Sequence, residues 1–171
     1  DLGAERDVLP LDQHSPYWAR LQGPNQWPAA LPALKPLLLD WQHSMTRMSL
    51  RLLRAFAETL SLPQEAFDQL YGDKPNEHIK LMRYPGQAPD ASHQGVGAHK
   101  DSGFLSFLLQ DRQAGLQVEI EEGRWIDALP RDNTLVVNIG ELLELATNGY
   151  LRARVHRVVS PPEGSERLSI A

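Results

Sequence analysis

Residues 95–109 read Gly-Val-Gly-Ala-His-Lys-Asp-Ser-Gly-Phe-Leu-Ser-Phe-Leu-Leu. Two short runs rich in apolar residues flank a polar Asp-Ser-Gly turn, the pattern of neighbouring strands. Strands are therefore expected at Gly95–Lys100 and Phe104–Leu109. The same texture extends both ways, predicting strands near His78–Tyr84, Leu116–Ile120, Arg124–Asp127, Thr134–Ile139, Ala153–Val159 and Arg167–Ala171, with a helical turn at Glu141–Leu145. Upstream the period changes. Leu38, Trp41, Met45, Met48, Leu52, Phe56 and Leu60 recur in steps of three or four, which predicts an amphipathic helix over 36–60 with Pro36 in its first turn. Ser61 and Gln64 read as the capping box of a shorter helix running to Leu70 and stopping at Gly72. The first ~30 residues, rich in Pro, Gly and Gln, read as irregular surface chain. Helices followed by eight short strands make a mainly β, α+β chain: an antiparallel sandwich or jelly roll with a helical buttress.

The chain has 171 residues, 42% of them apolar and 23% charged, enough for one domain with its own core. The expected organisation is a single domain, with 1–77 as irregular segment plus helices and 78–171 as the jelly-roll core. A net charge of −5 gives no electrostatic reason to expect nucleic acid as a partner. No run of about 18 apolar residues is present, so no membrane span is expected. Asp1, Glu5, Arg6 and Asp7 stand where a signal peptide would be apolar. The chain contains no cysteine, which excludes disulfides, Fe–S clusters and thiolate metal sites and agrees with a cytoplasmic location. It begins without Met and ends directly after a strand-like run, so it is expected to belong to a longer polypeptide.

Any metal here must be held by nitrogen and oxygen. His99 and Asp101 are two apart on an expected strand, so imidazole and carboxylate share a face. His156, at the centre of Ala-Arg-Val-His-Arg-Val-Val and 55 residues after Asp101 (156 − 101), is the natural third ligand. Two histidines and one carboxylate form a facial triad with open positions, which suits Fe(II). His14, His43 and His78 read as ordinary surface or core histidines. Arg167 and Ser169 share a face of the last strand, where a guanidinium and a hydroxyl can grip one carboxylate. Leu81, Phe107, Leu116 and Val118 are candidates for the apolar wall of the cavity.

The order of these features resembles the iron/2-oxoglutarate dioxygenase superfamily, in its isopenicillin N synthase-like branch. The resembling residues are Ile79-Lys-Leu-Met-Arg-Tyr-Pro85, Gly97-Ala-His-Lys-Asp101, Leu108-Leu-Gln-Asp111, Gly115-Leu-Gln-Val118, Val137-Asn-Ile-Gly-Glu141, Val155-His-Arg-Val158 and Arg167-Leu-Ser169. Gly23-Pro-Asn-Gln-Trp-Pro28 also resembles a segment found before the long helix in that branch. The resemblance implies a double-stranded β-helix with Fe(II) on His99, Asp101 and His156. It further implies 2-oxoglutarate and O2 as co-substrates, Arg167 and Ser169 on the distal carboxylate, and Tyr84 beside the bound carboxylate. Asn138 would stand on a strand lining the pocket. The implied activity is oxidation of a C–H bond in a small molecule, coupled to decarboxylation of 2-oxoglutarate to succinate. Lys100 stands where relatives often carry Thr and should point away from the metal. The N-terminal part and closing C-terminal helix of such proteins are expected to be missing. Three other readings stay open: an Fe(II)/O2 oxidase without 2-oxoglutarate, a non-catalytic jelly-roll binding module, and a Zn(II) hydrolase.

Overall fold

The computed structural model describes residues 1–8, 10–21, 23–70 and 75–171, leaving aside the side chain of Gln69. The chain divides into two compact units, Asp1–Ile79 and Lys80–Ala171. No described helix is long and apolar enough to cross a membrane.

The first unit is built on α1 (Leu34–Thr59), with β1 (Leu2–Gly3) paired antiparallel to β2 (His78–Ile79). The predicted helix is present, but its most buried stripe is Leu38, Gln42, Leu53 and Ala57, one position round from the expected face, while Met48 is exposed. The chain leaves α1 through a Schellman turn: the Ser61 N–H donates to Glu58 O and the Leu62 N–H to Ala57 O, at 3.0 and 2.9 Å. Ser61 adopts φ 58°, a left-handed conformation that closes a helix; an N-cap needs extended backbone. The expected second helix is accordingly reduced to a single 3-10 turn, Asp68–Leu70, and its predicted stop at Gly72 lies outside the described residues.

The second unit contains β3 (Leu81–Pro85), β4 (Gln94–His99), β5 (Leu105–Gln110), β6 (Leu116–Glu121), β7 (Arg124–Asp127), β8 (Val136–Ile139), α2 (Glu141–Ala146), β9 (His156–Val159) and β10 (Glu166–Ile170). They form two antiparallel four-stranded sheets, ordered β3-β10-β5-β8 and β4-β9-β6-β7. The sheets meet through Tyr84 and Leu108 on one side and Leu116 and Val158 on the other. A Cβ built on Gly95 would lie 2.9 Å from the Tyr84 ring, so the missing side chain makes room for that contact. This is the double-stranded β-helix, the expected fold class.

Three of the expected strands differ by more than one residue at a boundary. The His78–Tyr84 run serves two sheets, because Ile79 pairs with Leu2 whereas Leu81 pairs with Ile170. Thr134 turns its hydroxyl onto Arg131 O, and the strand begins only at Val136. The Ala153 N–H donates to the Glu144 carboxylate, outside the ladder, so His156 is the first residue of β9 and not its centre.

One ionic cluster orders the irregular N-terminal chain. Glu5 accepts from Lys35 and Asn25, each at 2.7 Å, and from the Trp27 indole at 3.3 Å. The Lys35 hydrogen bond above all holds the Glu5 carboxyl at about 2, against burial, which pulls it up. A depressed carboxyl contributes stability that is full above the unfolded value of 4.5 and is lost as pH falls toward about 2. Glu5→Gln should lower the urea midpoint at neutral pH, and its gap from wild type should close as the pH is taken down through that window.

Candidate functional site

β4 ends at His99, and Asp101 stands in the turn beyond it, so their convergence comes from the turn and not from strand alternation. The β4–β9 register shifts twice, between Gln94 and Val96 and between Val96 and His99, and such bulges re-aim side chains. His99 then pairs directly with His156, which is flanked on its other side by Val118 of β6. The two imidazoles lie 4.4 Å apart between centroids, tilted by 55°. Asp101 Oδ1 is 3.8 Å from His99 Nε2 and 3.6 Å from His156 Nε2.

The polar groups behind these ligands decide which atoms remain free. His99 Nδ1 lies 2.8 Å from Gly97 O and His156 Nδ1 lies 3.2 Å from Arg154 O. A carbonyl can only accept, so each Nδ1 carries the proton and each Nε2 presents a lone pair to the common centre. Asp101 Oδ2 accepts from the Ser106 hydroxyl and from Asn138 Nδ2, the latter at 3.2 Å, which leaves Oδ1 facing the two imidazoles. Two atoms each about 2.1 Å from one metal at a right angle are about 3 Å apart, and the three candidate ligand atoms here all lie within 4.8 Å of one another, so a modest closure would let them hold an ion. The donor set, two neutral imidazoles and one carboxylate, fits Fe(II).

The turn itself is held by α2. The Glu141 N–H donates to Asp101 O at 2.8 Å and the Leu142 N–H to Gly103 O at 3.1 Å. Gly140 permits this approach, since a Cβ there would stand 1.9 Å from Gly103 O. Lys100 points away from the ligands to Glu144, 3.0 Å distant, and holds that carboxyl below its ordinary range.

On β10, Arg167 and Ser169 are buried to 0% and 4% exposure, with Tyr84 as the register partner of Arg167. The guanidinium carbon lies 5.1 Å over the Tyr84 ring. Arg167 Nη2 donates to Gln110 Oε1 at 2.8 Å and Nη1 reaches Ser169 Oγ at 3.4 Å, both neutral partners, while Nε is buried without one. Burial lowers the Arg167 pKa from its usual value. The charge of Asp111 opposes that fall, while the hydrogen-bond partners of the guanidinium are neutral and Nε is a spare donor.

Ser106, Leu108 and Gln110 alternate along β5, and Leu108 lies in the core cluster, so this inner face links Asp101 to Arg167 over four residues, about 13 Å. Leu116 and Val118 adjoin the same interior, Leu116 at 1% exposure and Val118 beside His156. Leu81 and Phe107 do not. Leu81 is 46% exposed, and Phe107 lies on the opposite face of β5 from Ser106.

The family described as the 2OG-Fe(II) oxygenase superfamily matches residues 75–171. The chain belongs to this superfamily. It is 38% identical over 154 residues to the 2-oxoglutarate-dependent dioxygenase frbJ of Dothideomycetidae sp. (strain 11243), which covers 88% of this chain and 42% of the relative. A full-length Neurospora crassa protein in complex with alpha-KG superposes with a TM-score of 0.78 at 33% identity, over 86% of this chain and 51% of that one. A 2OG-Fe(II) oxygenase family protein from Caulobacter crescentus superposes with a TM-score of 0.79 at 32% identity, over 98% of this chain and 55% of that one. The chain thus spans about half the length of the relatives it matches.

Within this superfamily member, Ser106 and Gln110 are the polar positions that strand patterning passed over. The signal was present as two polar residues with period two in an otherwise apolar strand. If Asn138 orients Asp101, Asn138→Ala should weaken Co(II) binding about 10-fold or more, read by titration of its visible absorption. Unchanged Co(II) affinity in that variant would assign the amide a packing role only.

Proposed function

We propose that this chain forms the metal- and co-substrate-binding core of an Fe(II)- and 2-oxoglutarate-dependent oxygenase that oxidises a C–H bond of a small molecule. The observation that carries this reading is Arg167, wholly buried, hydrogen-bonded only to neutral side chains, with Asp111 as a carboxylate acting on it, and sharing an inner face with the His99–Asp101–His156 cluster. A metal site alone would leave that buried cation unexplained. A short dicarboxylate, chelating the metal at one end, would neutralise it at the other.

In this reading His99 Nε2, Asp101 Oδ1 and His156 Nε2 hold the iron. Ser106 and Asn138 keep Asp101 from rotating, and the carbonyls of Gly97 and Arg154 fix the imidazole tautomers. Arg167 and Ser169 take the distal carboxylate of 2-oxoglutarate through charge-assisted hydrogen bonds, with the Tyr84 ring supporting the guanidinium. The bound iron and its co-substrates would supply O2 activation, coupled to release of CO2 and succinate. The chain's own contribution is geometry and exclusion of water by Leu108, Leu116 and Val158. The names of its relatives support the same chemistry.

Anaerobic addition of Fe(II) and 2-oxoglutarate should produce the weak visible charge-transfer band of the chelate. Asp101→Ala should lose metal affinity, whereas Arg167→Ala should retain metal and lose 2-oxoglutarate. Metal binding with no such band and no succinate formed during turnover would favour an Fe(II)/O2 oxidase and sink the co-substrate assignment.

A further inference from the structure

Glu144 lies on α2 and ligates nothing, yet one of its oxygens meets both limbs of the metal cluster. Oε2 accepts from Lys100 Nζ at 3.0 Å and from the Ala153 N–H at 3.2 Å. Lys100 stands between His99 and Asp101, and Ala153 stands three residues before His156. Ala153 precedes β9, so its N–H belongs to no strand ladder. The pair occupies a groove of about 580 Å3, also lined by Glu119, Arg152 and Val155. An isolated, partly exposed ion pair contributes little. A carboxylate oxygen shared by an ammonium and a backbone N–H differs, because moving it shifts two chain segments at once. The same first turn of this short helix adds the Glu141 and Leu142 N–H groups, which donate to the carbonyls of Asp101 and Gly103.

We propose that Glu144 is a positioning residue for the metal centre: its Oε2, shared between Lys100 and the Ala153 N–H, sets the separation of the His99–Asp101 limb from the His156 limb. The inference rests on the metal-site reading above.

Co(II) titration of the full chain tests it, with affinity and the shape of the visible absorption as readouts. Glu144→Ala should weaken Co(II) about 10-fold and alter the band. Glu144→Gln keeps an acceptor for both donors and should return affinity to within about 2-fold of wild type. Lys100→Met should fall between, and adding it to Glu144→Ala should cost nothing further. Arg83→Ala, which breaks the exposed Arg83–Glu166 pair at 2.8 Å, should bind like wild type. Wild-type affinity in Glu144→Ala overturns the proposal, as does a folded Glu144→Gln that binds no better than Glu144→Ala. If Glu144→Ala does not fold, Lys100→Met decides, and unchanged affinity there overturns the proposal. A wild-type chain that binds no Co(II) removes the metal-site reading and this inference with it. A metal-binding wild type with an unaffected Glu144→Ala removes this inference alone.

Discussion

The two oxygens of Asp101 divide two tasks, and the surrounding sheet is arranged around that division. Oδ2 is held by Ser106 and Asn138, and only Oδ1 faces the imidazoles. Ser106 and Asn138 are directly opposed across the β5–β8 ladder, so both donors reach one oxygen from adjacent strands. Register is therefore a chemical matter as well as a packing one. A slip of one residue would bring Phe107 or Val137 to face Asp101 and leave Oδ2 without donors.

Arg167 imposes a second constraint on the same strand. Burying a guanidinium costs several kcal/mol unless its donors are satisfied, and neutral partners satisfy them only in part. Gln110 fixes one arm, and its own amide is held by Ala128 O at 3.1 Å, so the arginine is aimed before any anion arrives. Rigid placement lowers the ordering that binding would otherwise require. The spare Nε, buried without a partner, is a local cost to stability.

The candidate site residues were legible in the sequence because they obey local rules: His99 and Asp101 are close in the chain, and Arg167 and Ser169 are two apart on one strand. The jelly roll was legible because short strands and turns alternate throughout 78–171. What escaped was set by tertiary pairing. On β5, the apolar set Leu105, Phe107 and Leu109 looks like the core face, yet the face carrying Ser106 and Gln110 points inward. Period two identifies two faces but cannot say which is buried when the interior must host polar chemistry. Ser61 misled for a related reason, because its residue type suits both an N-cap and a left-handed closing position, and only the backbone path chooses. Lys100 and Glu144 are 44 residues apart, with nothing local to connect them.

Burial grades smoothly across the candidate site. The side chains of His99, Asp101 and His156 are 41%, 24% and 8% exposed, and Arg167 as a whole is 0% exposed. The cluster is therefore most open to solvent at His99, and the guanidinium is the most buried group of the candidate site. Electrostatic attraction strengthens as water is excluded, so the wholly buried Arg167 would act on a fitting anion more strongly than an exposed guanidinium would. The same gradient makes His99 the least buried of the three candidate ligands. The hydrogen bond to Gly97 O and the turn held by α2 must orient its limb where buried neighbours orient His156. A short helix of six residues can matter to the metal cluster because it braces the limb that the core does not.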